Sequence, residues 1–125
     1  MKEIKSQDWN TFCQQMNQFE HGATVDIQWI DRATNQERSI AESAELEEIT
    51  FGAHNGCSDQ IVVRASGQRE TRHEILEPIR IFLRESGDGG SYNAMAVESE
   101  EGTTILRFHP VIHPEWLQKV GVEAR

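Results

Sequence analysis

Five histidines, two cysteines and twenty-one carboxylates are the side chains of this 125-residue chain with the most chemistry to offer. Two spacings among them occur in zinc sites: His54-x-x-Cys57 and His109-x-x-x-His113. The second lies in His109-Pro110-Val111-Ile112-His113-Pro114, where two prolines forbid an ordinary helix. Residues four apart in an extended chain are separated by roughly 13 Å, whereas two ligands of one zinc ion sit within roughly 4 Å of each other. That pair chelates only if a sharp turn folds it back. His54 and Cys57 flank a turn and can close, but two ligands do not make a structural site. We expect no metal, and surface and turn histidines are the simpler reading.

Nucleophilic catalysis has less support. Cys13 lies on an apolar helix stripe, where a thiol behaves as a small hydrophobe, and Cys57 sits in a polar turn. No Gly-x-Ser-x-Gly elbow occurs, and nothing in the spacing of the carboxylates defines a catalytic set. The loop Ser86-Gly87-Asp88-Gly89-Gly90-Ser91 lacks the Lys and the following helix of a phosphate cradle, and Asp88 carries the wrong charge. It reads as a flexible hairpin loop. Arg64, Arg80, Arg84 and Arg107 fall within strand candidates. Cross-strand pairing with Glu42, Glu74 or Glu98 explains them more simply than a basic strip that binds an anion.

These side chains need elements to position them. Trp9, Phe12, Cys13, Met16 and Phe19 fall on a 3.6-residue period, so residues 6–20 read as a helix. Ser6 is its N-cap candidate, Asp8 puts negative charge in the first turn, and Gly22 supplies the stop. Residues 24–29 alternate, with Val25, Ile27 and Trp29 on one face. A turn over 31–36 leads to a second strand candidate at 37–46, although 41–48 also suit a helix by propensity. Asn55-Gly56 is a turn signal ahead of a short strand at 60–65. Residues 91–99 and 103–108 form a hairpin around Glu100-Glu101-Gly102. Ile79, Ile81 and Leu83 alternate as in a strand, while Ile79, Phe82 and Leu83 also fit a helix, and periodicity leaves 78–84 open. Residues 114–120 read as a short closing helix stopped by Gly121.

Bulk composition narrows the classes. The length suits a single domain over residues 1–125, and 37% hydrophobic with 26% charged residues suits a folded chain. A net charge of −9 disfavours nucleic acid, which draws its binding proteins through Lys and Arg, and it disfavours anionic membrane surfaces. Two cysteines are too few for a disulfide framework. Neither a signal peptide nor a spanning stretch is visible, so a cytoplasmic location is expected.

The order of several short motifs resembles an uncharacterised family of small bacterial proteins, domain-of-unknown-function family 5335. The motifs are Trp9-x-x-Phe12, Val25-x-Ile27 after Gly22, Leu46-x-x-Ile49 and His73-x-Ile75-x-x-Pro78-x-x-Ile81. Glu98 and Gly102-Thr103-Thr104-x-Leu106-Arg107-Phe108 complete the set. Members often carry glycine where Glu48 stands here. The resemblance implies a β-rich chain behind a leading helix, which favours a strand at 78–84, and it carries no activity.

Together these readings give an α+β fold. An N-terminal helix packs on a curled, mainly antiparallel sheet of about six strands, either open or partly closed into a barrel, with a short C-terminal helix. The expected function is a non-enzymatic binding or interaction module without a cofactor. Its partner is a second copy (a dimer) or another protein, docked on an exposed strand edge. The alternative is a small-molecule-binding protein or enzyme with a pocket between helix and sheet, for which His54, His73, Arg107 and His109 are the candidate residues.

Overall fold

The computed structural model describes residues 1–54, 58–87, 90–119 and 122–124. A 3-10 turn at Ser6–Asp8 leads into helix α1, Trp9–Phe19. The α-helix therefore starts at the first residue of its apolar stripe, three residues later than the expected range 6–20. Ser6 heads the 3-10 turn, and Asp8 occupies the N-cap without a side-chain capping bond. Trp9, Phe12, Cys13 and Met16 are buried, as the stripe requires, whereas Phe19 stays exposed. Gly22 takes φ +89°, a conformation that costs glycine little, and turns the chain into the sheet.

Among the described residues, nine strands form a single antiparallel sheet: eight within residues 2–112 and a three-residue ninth. They are β1 (Lys2–Ile4), β2 (Thr24–Asp31), β3 (Glu37–His54), β4 (Ser58–Ser66) and β5 (Glu70–Leu76). After them come β6 (Pro78–Glu85), β7 (Tyr92–Ser99), β8 (Gly102–Ile112) and β9 (Val122–Ala124). The spatial order is β5-β4-β3-β2-β8-β7-β6-β1-β9. The sheet is thus larger than about six strands, because β1, β5 and β9 are short or charged and β3 runs far beyond residue 46.

Three ambiguous or mistaken elements resolve for identifiable reasons. The stretch 41–48 is strand, since β3 pairs with β2 along Glu37–Glu45 and with β4 along Glu45–His54. Pairing on both sides supplies hydrogen bonds that helix propensity alone does not outweigh. Residues 78–84 are also strand: β6 lies between β7 and β1, with Ile81 and Leu83 buried. Pro78 begins it, where a missing N–H is tolerated. The closing helix is only a 3-10 turn, Glu115–Lys119, in which Leu117 N–H donates to the Pro114 carbonyl at 3.1 Å. The proposed stop at Gly121 lies outside the described residues, as does the Asn55-Gly56 turn.

The sheet curls strongly without closing into a barrel. Only Glu77, at φ +51°, separates β5 from β6. Those strands lie at positions one and seven of the sheet order, so one residue can join them only if the sheet rolls its ends together. Register shifts in β3 opposite Val25–Gln28 and near Leu46–Glu48 supply local bends. One bend is held by Asp26, whose Oδ1 accepts the Ser43 N–H at 2.8 Å where Ser43 adopts φ +47°. Inside the roll, alternate residues of every long strand form one apolar core. Ile27, Ile49, Val63, Ile75, Ile81, Met95 and Leu106 are almost wholly buried.

Helix α1 seals this roll on the β3 side. Beyond Ala44–Glu45, β3 has lost its β2 neighbour, and its edge needs other partners. Asn17 provides them. Its Nδ2 donates to the Ile49 carbonyl at 2.8 Å, and its Oδ1 accepts the Ile49 N–H at 2.7 Å. One side-chain amide thereby does the work of a neighbouring strand. Gly22 and Ala23 exchange backbone bonds with Leu46 in the same manner. Trp9 packs edge-on against Phe51 with centroids 5.6 Å apart, and its indole N–H donates to the Ile4 carbonyl at 3.0 Å.

Candidate functional site

Polar groups converge where the rolled sheet brings β5 over β8. Thr104 continues the inward alternation of Leu106 and Phe108, yet it is a hydroxyl at a fully buried position. A buried hydroxyl needs a partner, and it finds one across the roll. His73 on β5 places its Nε2 2.8 Å from Thr104 Oγ1, with three strands intervening in the sheet order. The imidazole donates in the Nε2–H tautomer and accepts in the other. The edge of Trp29 meets the same imidazole, with ring centroids 5.9 Å apart. Burial, with Arg38 adding a second positive charge nearby, holds the His73 pKa below its ordinary value of 6.5.

Gly102 sets the depth of this arrangement. A Cβ there would stand 2.2 Å from the Ile30 carbonyl oxygen and 2.7 Å from the Trp29 ring. The first residue of β8 must therefore be glycine if the Trp29 ring is to keep its place against it. A cleft of about 680 Å³ opens above, walled by Trp29, Arg38 and His73 and rimmed by Asp31, Arg32, Glu74, Glu100 and Glu101. Four carboxylates against two guanidiniums make its lining acidic.

Of the candidate residues named from sequence, only His73 belongs to this cleft. Arg107 and His109 lie on the other face of the sheet, because they alternate with the buried Leu106 and Phe108 or follow them outward. There His109 Nε2 is 2.8 Å from Asp26 Oδ2, and Arg107 Nε donates to Gln28 Oε1 at 3.3 Å. The Ser43 N–H bond, reinforced by His109 and Arg107, holds the Asp26 carboxyl below the usual carboxylate range. This cluster braces a bulge. His54 ends β3, its side chain lies outside what is described, and the His54-x-x-Cys57 pair goes with it. The cleft that holds His73 has no helix residue in its walls.

Other candidates have definite places. Cys13 is enclosed in the core, where burial raises its thiol pKa to about 12 and keeps it unreactive. The described residues contain no cluster of three or more His, Cys, Asp or Glu that could hold a metal ion. Ser86 and Ser91 close the base of the glycine loop through a hydroxyl–hydroxyl bond, while Asp88 and Gly89 lie outside the described residues. Arg80 stands opposite Glu98 across β6 and β7, Arg64 pairs with Glu48 at 3.4 Å, and Arg72 with Glu74 at 2.6 Å. Of the four strand arginines named from sequence, Arg64 pairs with a carboxylate and Arg80 stands opposite one, while Arg107 bonds an amide.

The feature that sequence reasoning passed over is β5. Its Glu70, Arg72 and Glu74 point outward while Thr71, His73 and Ile75 point inward. It pairs with β4 on one side and ends the sheet on the other. The signal was present as a charged/uncharged alternation, but with one strongly buried side chain it carries little apolar periodicity. Thr104 and Trp29 were readable from the Gly102-Thr103-Thr104 motif and the β2 alternation, since a hydroxyl on a core face marks a bonded polar site.

This fold and edge define a small α+β module whose curled antiparallel sheet ends, among the described residues, in a strand paired on one side. Residues 1–115 match the model of a family of unknown function, DUF5335, and the chain belongs to that family. No curated protein and no solved structure matches it. No helix among the described residues is long and apolar enough to cross a membrane.

Proposed function

We propose that this protein is a non-enzymatic interaction module that docks a partner by strand addition to β5. One observation carries the reading: β5 is a seven-residue strand at the end of the sheet, and among the described residues its main-chain ladder runs to β4 on one side only. Alternate N–H and C=O groups of such an edge face outward, and an extended segment that meets them gains a ladder of main-chain bonds. The acidic cleft beside it, with Trp29 as a flat apolar surface, lies within reach of side chains flanking that segment.

A second reading, binding or turnover of a small molecule, is favoured by His73. Its imidazole is held largely neutral at pH 7 beside Arg38 in the same cleft, a protonation state suited to proton transfer.

The two readings separate in one experiment. Short random peptides are displayed, selected on the protein, and the best binder is mapped by amide chemical shifts. Shifts along β5, with cross-strand nuclear Overhauser effects to the peptide, are expected. A selection without binders, or binders mapping away from β5, overturns the interaction module, and shifts confined to Trp29, Arg38 and His73 favour the second reading.

A further inference from the structure

Resting on the reading of β5 as a docking strand, we infer that its partner is a second copy of this chain, paired antiparallel about His73. The argument is one of register. In an antiparallel ladder, residues directly opposite share the same hydrogen-bonding direction. Two identical strands can therefore pair only residues of equal parity, so the numbers of opposed residues sum to an even value. Side-chain charge then selects among the even registers.

With residues summing to 146, all seven positions of Glu70–Leu76 are opposed. Arg72 faces the partner's Glu74, and Glu74 faces the partner's Arg72. Thr71 faces the partner's Ile75 on the inner side, and the exposed Leu76 covers the stem of the partner's Glu70. Slipping by one step to 144 sets Arg72 against itself and Glu70 against Glu74. Slipping the other way to 148 sets Glu74 against itself. Like charges directly opposite destabilise a sheet and opposite charges stabilise it. One register thus satisfies length, parity and charge together.

The neighbouring strand adds a reason. Arg64 on β4 sits directly beside Arg72 in register, two like charges on one face. Glu48 meets the first and Glu74 of the same strand meets the second. The partner's Glu74 extends this row, giving Glu48, Arg64, Arg72 and a carboxylate in sequence across the seam. The two-fold axis closes the assembly, so pairing stops at a dimer rather than propagating.

Charge exchange tests the register. Arg72 and Glu74 are 56% and 43% exposed, so substitution there leaves the core intact. Arg72→Glu and Glu74→Arg, each alone, set like charges at both crossings, and each is expected to weaken dimerisation at least about tenfold. The double variant R72E/E74R restores the dimer. An equimolar mixture of the two single variants is the sharper readout. It restores both attractive crossings only between unlike chains, so native mass spectrometry should show the heterodimer above either homodimer. A wild-type protein that remains monomeric, or a dimer indifferent to these exchanges, overturns the inference. If the protein is monomeric yet captures a selected peptide along β5, the dimer fails while the interaction module stands.

Discussion

His73 ties a charged strand to the buried interior, and its titration is where a single residue should be felt in solution. Its imidazole is bonded to Thr104 and edged by Trp29, with Arg38 close and the carboxylates of Asp31, Glu74, Glu100 and Glu101 on the cleft rim. Burial and Arg38 hold its folded pKa below the ordinary 6.5. Between the lowered value and 6.5 the unfolded chain binds more protons than the folded one, so acidification favours unfolding. The stabilising contribution of neutral His73 is fully present above pH 6.5 and is lost as pH falls through the folded pKa. Urea denaturation across pH 5 to 8 is expected to show this slope in the wild type and to lose it in His73→Gln, which retains a hydrogen-bonding side chain without the titration. Identical slopes in both proteins refute the assignment.

At the scale of elements, the β2–β8 pair shows how a local motif sets a distant site. Gly102 opens β8 beneath Trp29, and the ring then reaches the imidazole that β5 brings across the roll. Gly102→Ala puts a methyl group against the Ile30 carbonyl and the indole. Overpacking of this kind costs about 2 kcal/mol. A drop of that size in chemical denaturation, with a shift in tryptophan emission as Trp29 is displaced, is the expected result. Unchanged stability and emission would mean that the ring has another resting place. The elements themselves were unequally legible. Helix α1 announced itself through five apolar residues on one period, and the β7–β8 hairpin through its turn and alternation. The segment 78–84 was ambiguous because Ile79, Phe82 and Leu83 serve either period, and only the neighbours β7 and β1 decide it. Strand β5 showed only a charged/uncharged alternation, because an edge with charged outward positions and one strongly buried side chain has little apolar signature.

Over the whole molecule, the two ends of the chain meet at α1. Trp116 packs against Phe12 and stacks on Phe19, with centroids 5.8 and 6.3 Å away, and its indole N–H donates to Glu20 Oε2 at 2.9 Å. This contact joins residues 96 positions apart. Trp116→Ala should cost about 3 kcal/mol, the usual loss for a buried aromatic, whereas Trp116→Phe should recover part of it. A negligible change in the alanine variant's midpoint would show that the C-terminal turn does not seal the core.

By itself, the sequence determined the local and the additive: a leading helix, alternating strands, an acidic charge balance, and membership in a family through motifs spread along the chain. Those properties follow from nearest neighbours and from sums over residues. The tertiary structure decided what depends on strands far apart in order. The roll of the sheet brings His73 to Thr104, sends Arg107 and His109 to the opposite face, and leaves β5 at the end of the sheet order among the described residues. Strand pairing is non-local, and which residue faces which is settled only when the register of every strand closes against the others.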